Sequence, residues 1–459
     1  MTTSSTEPKS NVRPSITFTE SLLTPLPIFQ ASLASVERET PPVFKLGQHI
    51  LSLIFKESAK KEDVLRLTLM CSFFCDILQR LPWLFSAVCI TTRPQCSTPP
   101  SSVFGLHFYI IHSSDHLSTL LKRTLNASLA VMIDFPSPSH RSDISQKTEA
   151  LSMLSTLCLH SDRWETLVIN CVRLFQQDKL DWQTMLPGSL DKLKRFSSCD
   201  DIQPIMESMK HWLSQIHVLH MQFLNKEQLE TLSEAPWLLH IHDLTLKYEG
   251  DKNITSSTRK LLLACHALRS LHIHGLYFYN DKFEAITLHS LTELTFGGDF
   301  PLSCLQTPAL TCLTINESEW IGHDPLFSYP CLKKLSITSR YSIFIFKQFH
   351  LQLYDSLFLN FLDLSIYDSW TKGFLSVKAR KLTIHRAQSF EATFISMLQA
   401  MSGVLEELEL VDVDIESESI DLFSKRDECV QTVREFRFRN QQYQRWVWTP
   451  STGWDFLGM

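Results

Sequence analysis

Reduced to its apolar positions, the stretch TPALTCLTINE at 307–317 reads Leu310, Leu313, Ile315, with small polar residues between. Further on, YPCLKKLSITS gives Leu332, Leu335, Ile337, and each triplet is entered through Pro-x-Leu, at Pro308 and Pro330. Variants of the phrase recur along most of the chain. They are WETLVI from Trp164, WLSQIHVLH around Ile216, IHDLTL from Ile241, LRSLHI from Leu268, LTELTF from Leu291 and FLDLSI from Phe361. ARKLTI from Ala379, LEELEL from Leu405 and VREFRF from Val433 complete the series. The central apolar positions fall at 216, 244, 271, 294, 313, 335, 364, 382, 408 and 436, at intervals of 18 to 29 residues. With 44% apolar residues, one such triplet arises by chance at roughly one start in twelve. The weight therefore lies in the recurrence.

In x-L-x-Φ the apolar residues point one way and the residue between them the other, as in a strand. One such strand cannot bury its face alone. Parallel stacking of many copies, with a connection returning each time, makes a continuous core. Helical patterns fall between copies, such as STRKLLLACHAL before LRSLHI, FEATFISMLQAM before LEELEL, and ESIDLFSKRDECV before VREFRF. The pattern over about residues 160–440 resembles leucine-rich repeats, whose period is roughly 20–29 residues. The Asn or Cys that usually follows the strand is mostly missing and the spacing is uneven, so the expected array is irregular. The fold class is then α/β: a small N-terminal helical block, followed by an irregular solenoid over 121–445 with a parallel concave sheet. Residues 446–459 read as a C-terminal cap, through Trp446, Trp448 and Trp454.

The front of the chain is patterned differently. Residues 1–40 are rich in Ser, Thr and Pro and read as disordered. From Val43, Leu46, Ile50, Leu53 and Ile54 share a helical face, and Val64, Leu67, Cys71, Phe74 and Leu78 share another. Three prolines with Ser and Thr mark a linker over 93–120. The block 41–92 resembles an F-box, the module that docks the Skp adaptor of cullin–RING ubiquitin ligases. KLGQHILSLIF, VLRLTLMCSFFCDIL and LPWLFSAVCI carry the resemblance. Leu46 matches the opening Leu, Ile50 and Leu51 the apolar pair, Ile54 and Phe55 the end of the first helix, and Leu84 and Phe85 the closing pair. With Leu67 and Phe74 these residues are the implied adaptor-binding set. Gly47 stands where the family has proline and His49 where it has an acid, which weakens the helix start by about 1 kcal/mol. The order of block, linker, the strand SLAVMIDF and irregular repeats resembles the F-box-like proteins of mushroom-forming fungi.

That resemblance implies a substrate-recruiting subunit, whose partners are a Skp-type adaptor, through it a cullin, and an unidentified target protein. The alternative is an interaction scaffold with no ligase link. The residue inside each L-x-Φ faces the concave surface. There His217, Thr245, His272, Thr295, Thr314, Ser336, Ser365, Thr383, Glu409 and Arg437 form one column, and Tyr367 and Arg439 belong to its neighbour. His217, Thr245, His272, Thr314, Ser336, Tyr367, Glu409, Arg437 and Arg439 are the expected target-binding residues.

Composition narrows the picture further. A net charge of −6 offers no basic footprint for nucleic acid. Only 12 glycines, against roughly 7% in an average chain, count against glycine-rich phosphate loops. No P-loop, HExxH or GxSxG is present, so no enzymatic activity and no cofactor are expected. The 12 scattered cysteines contain no CxxC pair, and no long apolar run predicts a membrane span. A reducing cytoplasmic or nuclear setting follows. The HIH pairs at 240–242 and 272–274 read as surface histidines rather than a metal site, and HSSDH at 112–116 as a loop.

Overall fold

The computed structural model describes residues 86–92, 104–135, 144–170, 190–199, 215–248, 255–277, 284–299, 304–316, 329–339, 353–361, 378–386, 401–412 and 433–458, apart from 105, 107, 225, 402, 440–444, 450 and 452. These lie in the second of the two units into which the chain divides, Arg66–Met459.

Among the described residues the chain is a mixed α/β structure built on an open 17-stranded sheet. It opens with β1 (Ala87–Thr91), β2 (Tyr109–Ile111), α1 (Ser114–Arg123), β3 (Leu129–Asp134), α2 (Ile144–Cys158) and β4 (Trp164–Asn170). Next come β5 (Arg195–Ser198), β6 (Val218–Leu224), α3 (Lys226–Ser233), β7 (Asp243–Tyr248), α4 (Thr255–Ala264) and β8 (Ser270–Tyr277). The middle holds β9 (Ile286–Thr287), β10 (Glu293–Asp299), β11 (Leu305–Gln306), β12 (Cys312–Asn316) and β13 (Lys334–Ser339). Then follow β14 (Leu353–Phe361), β15 (Lys378–His385), β16 (Glu407–Val411), β17 (Glu435–Arg439), β18 (Arg445–Thr449) and β19 (Gly453–Gly458).

β1 pairs with β2 on one side and β3 on the other. From β3 to β17 each strand of the sheet is hydrogen-bonded, in parallel, to the next one in sequence. β9 and β11 stand apart as a small pair. The last two strands, β18 and β19, are antiparallel and extend the sheet past the final rung. Residues 446–459, read from sequence as a cap, thus begin inside a strand of the sheet. The sheet also starts earlier than the sequence suggests. β1 lies in the span read as helical block, and β2 and the first two turns of α1 lie in the span read as linker.

One apolar column threads the rungs. Val88, Val131, Leu167, Phe196, Leu219, Leu244, Leu271, Leu294, Leu313, Leu335, Leu357, Leu382, Leu408 and Phe436 are partnered in that order. Residues three before and two after the column, such as Leu310 and Ile315 around Leu313, are buried beside it. They join the inward faces of α1, α2, α3 and α4 in a single core, so Leu271, Leu313, Leu335 and Leu408 share one interior. The four described helices all pack on this one face, which matches strands whose two faces differ in polarity.

Two of the expected centres are displaced. Ile216 is the residue three before the column, and the centre of its rung is Leu219. The rung between β13 and β15 is Leu353–Phe361, centred on Leu357 rather than Leu364. Leu357 lies 22 residues after Leu335 and 25 before Leu382. Leu364 would divide that span into 29 and 18.

The prolines have a local role. Leu310 N donates to Thr307 O (3.1 Å) and Leu332 N to Tyr329 O (3.1 Å). Pro308 and Pro330 therefore occupy the second position of a turn, where their fixed φ is preset. Turns of the same spacing lead into β5, β7, β8 and β10 without a proline there. After each turn one carbonyl serves two amides of the next rung. Arg269 O accepts from Thr292 N (2.8 Å) and Glu293 N (3.0 Å), and Thr292 O from Thr311 N (2.8 Å) and Cys312 N (3.0 Å). Thr311 Oγ1 also donates to Thr292 O (3.0 Å). Thr311→Val is expected to lower the unfolding free energy by about 1 kcal/mol, the usual net worth of such a bond. Urea unfolding followed by circular dichroism measures it, and an unchanged midpoint would show the hydroxyl to be dispensable.

HSSDH is not a loop. Ser113 caps α1, its Oγ accepting from His116 N (3.4 Å), and Asp115 lies in the first turn at the positive helix end. Leu117, Leu120 and Leu121 bury the inner face. No described helix is long and apolar enough to cross a membrane.

Candidate functional site

The face of the sheet opposite the helices is set by the residue following each column leucine. In register these are Cys89, Met132, Val168, Ser197, His220, Thr245, His272, Thr295, Thr314, Ser336, Phe358, Thr383, Glu409 and Arg437. Thr245, His272, Thr314, Ser336, Glu409 and Arg437 therefore stand in one column, as the sequence pattern places them.

One expected member, His217, stands elsewhere. His217 lies two residues before Leu219, ahead of β6, and His220 takes its rung. The His217 ring instead stacks on His242, the equivalent residue of the next rung, at 5.1 Å and 11° between planes. Its Nδ1 lies 3.2 Å from His240 O. Ser365 and Tyr367 lie outside the described residues, and Phe358 and Asn360 hold the corresponding places on β14. Arg439 is in β17, paired with Val411 in the neighbouring column, where the sequence pattern places it. The adaptor-binding set Leu46, Ile50, Leu51, Ile54, Phe55, Leu67, Phe74, Leu84 and Phe85 lies wholly outside the described residues.

The open face changes character along its length. At the first rungs Cys89, Met132 and Val168 form an apolar floor, with Phe104 and Phe108 packed on it. The sequence signal for this floor is an absence of alternation. AVCI, LAVMI and LVI are apolar at successive positions, the mark of a strand covered on both faces. From Thr245 to Thr383 the column holds no formal charge. Phe358 meets the His385 ring edge-on at 4.8 Å, and Ser270 Oγ lies 3.1 Å from His272 Nε2.

The far end is charged. Lys381 Nζ is 3.0 Å from Glu407 Oε2, Thr383 Oγ1 donates to Glu409 Oε2 (3.4 Å), and Arg437 Nε donates to Glu435. The bond to Glu435, with Glu409 and Glu407 nearby, raises the Arg437 pKa. These exposed pairs each contribute under about 1 kcal/mol to stability, so they are available to a partner of complementary charge.

Histidines cluster on the strands between these ends. Burial, with His272 adding to it, pushes the His220 pKa down to about 4. Burial also lowers His272, against the pull of Glu293 and Asp243. Among the described residues no group of three or more His, Cys, Asp or Glu could hold a metal ion. The arrangement presents a long, graded sheet face suited to lying against another macromolecule. No protein-family model matches the chain, and no curated protein matches it either.

Proposed function

We propose that residues 121–445 form an irregular leucine-rich-repeat solenoid, and that the chain is a non-enzymatic, substrate-recruiting adaptor of a Skp–cullin–F-box ubiquitin ligase. The carrying observation is the unbroken parallel ladder over a single core, standing behind a block whose apolar spacing resembles an F-box. In this reading Leu46, Ile50, Leu51, Ile54 and Phe55 dock the Skp-type adaptor. The column from Thr245 to Arg437 engages a target protein. Tethering raises the effective concentration of target near the ligase, which needs no catalytic group in this chain. The described cysteines are thiols, in keeping with a cytoplasmic or nuclear setting.

Ile54→Asp is expected to weaken co-purification with a Skp-type adaptor by at least about 100-fold, the scale of losing a buried interface anchor. Phe55→Ala should act in the same direction. Circular dichroism and the unfolding midpoint of the sheet should stay unchanged. An intact, folded chain that captures no adaptor overturns the ligase assignment. A second reading, an interaction scaffold with the front block as a helical cap, is favoured by Gly47 and His49. It requires that Gly47→Pro with His49→Asp creates no adaptor binding, and that Ile54→Asp unfolds the repeats.

A further inference from the structure

The open face is not open along its whole length. Phe104 and Phe108 pack over Cys89, Met132 and Val168, and each of those three is almost wholly excluded from solvent. Phe104 has a left-handed backbone, φ 56°, which a residue of that bulk rarely adopts without a packing reason. Its ring lies 4.3 Å from the His220 ring, centroid to centroid. The aromatic strap thus ends on an ionisable group at the border between the apolar floor and the polar column.

We propose that the strap made by Phe104 and Phe108 is a latch on the open face, closed by contact with neutral His220 and released when that imidazole takes up a proton. The register neighbours of His220, Ser197 and Thr245, carry no charge to receive an imidazolium. By alternation, the other described titratable groups on this face between β3 and β10 are Asp134 on β3, Arg195 on β5 with Cys199 just after it, Asp243 and Lys247 on β7, His272 and His274 on β8, and Glu293 on β10. Of these, His272 opposes protonation of His220. An aromatic ring attracts a cation, but burial outweighs that attraction here, because the His220 pKa is pushed down to about 4. A group whose pKa is depressed by closure favours the uncovered state as pH falls from the ordinary histidine range toward 4. The inference concerns the chain alone and stands whether or not it serves a ligase.

Cys89 reports the floor, exposed Cys331 the reagent's own pH dependence, and buried Cys158 and Cys265 the main core. The full chain is labelled with dithiodipyridine, which stays reactive in acid, and each thiol is read by mass spectrometry. Between pH 7.5 and pH 5 the Cys89 to Cys331 labelling ratio should rise roughly 10- to 30-fold, with Cys158 and Cys265 still protected. His220→Gln should hold the ratio low and flat. Phe104→Ala should hold it high at both pH values. A flat ratio in the unaltered chain overturns the latch. So does a rise that survives His220→Gln, or exposure of Cys158 and Cys265 together with Cys89.

Discussion

Gly275→Ala is expected to lower the unfolding free energy by about 3 kcal/mol, far more than an exposed glycine substitution normally does. Gly275 is the extra residue of a bulge: His274 pairs with Gly297 and Leu276 with Gly298, leaving Gly275 between them with φ +75°. A methyl group added there would stand 2.5 Å from the Tyr248 carbonyl oxygen. That oxygen belongs to the backbone at the end of β7, and the Tyr248 side chain is anchored in the core with its hydroxyl 3.2 Å from Thr258 Oγ1. Relief of the clash must therefore shift a strand end and disturb α4 as well. Left-handed strain alone costs about 1 kcal/mol, and the forced displacement about 2 more. Gly403 supplies the control, since its φ is +79° but nothing lies within 4 Å of the added carbon. Gly403→Ala should cost only the strain. Urea titrations of both chains measure the difference, and equal midpoints would dismiss the steric account.

The same bulge shows what the sequence could and could not convey. The triplet of apolar positions fixes most rungs without ambiguity, because in LTCLTI only Leu313 has an apolar residue both three before and two after it. Where apolar residues crowd, the triplet fits more than one register. SLFLNFLDLSI satisfies it at Leu357, after Tyr354, and again at Leu364, after Phe361. Even spacing between neighbours decides for Leu357, a constraint that acts between rungs rather than within one. Ile216 misleads for a related reason. It is buried like a centre, yet it is the first member of its triplet, with Leu219 three and Met221 five positions on. The left-handed residue four places after the centre was not legible either. Gly275, Arg386 and Asp412 all adopt it, after Leu271, Leu382 and Leu408. Only the first is of a type that announces it.

The candidate site divides along the same line. Its column of small polar residues follows from strand alternation, so Thr245, Thr314 and Ser336 could be placed from sequence. The strap could not, because Phe104 and Phe108 lie far from Val168 and His220 in the chain and nothing local marks their destination. The floor beneath them left only an indirect trace, the loss of alternation in LAVMI and LVI. A contact between distant segments has no periodicity of its own, whereas a repeated rung has a strong one. Register was therefore accessible and cover was not. The rungs that the chain itself covers, at Cys89, Met132 and Val168, lie before the first residue of the expected partner surface, His217.

Arg163→Met is expected to cost about 3 kcal/mol, because one buried guanidinium ties two rungs together. Arg163 ends the short helical turn Ser161–Arg163 before β4 and is 7% exposed. Its Nε donates to Ala127 O (3.0 Å), and its Nη2 lies within donating distance of Ala127 O (2.9 Å), Thr124 O (3.3 Å) and Thr124 Oγ1 (2.7 Å). Thr124 caps the C-terminus of α1, where outward-pointing carbonyls lack partners within the helix and a cation is favoured. Methionine fills similar apolar volume but takes both donors from the Ala127 carbonyl and the one to Thr124 Oγ1, while Thr124 O keeps the bond from Ala127 N (2.9 Å); an orphaned group of this kind costs about 1–3 kcal/mol. Arg163→Lys keeps the charge and loses the fork that reaches both carbonyls, so an intermediate loss of about 1.5 kcal/mol is expected. Unfolding in urea, followed by circular dichroism, ranks the three chains. If the lysine chain matched the original, charge at the helix end would suffice. If the methionine chain lost under 1 kcal/mol, the turn would not be a structural tie between β3 and β4.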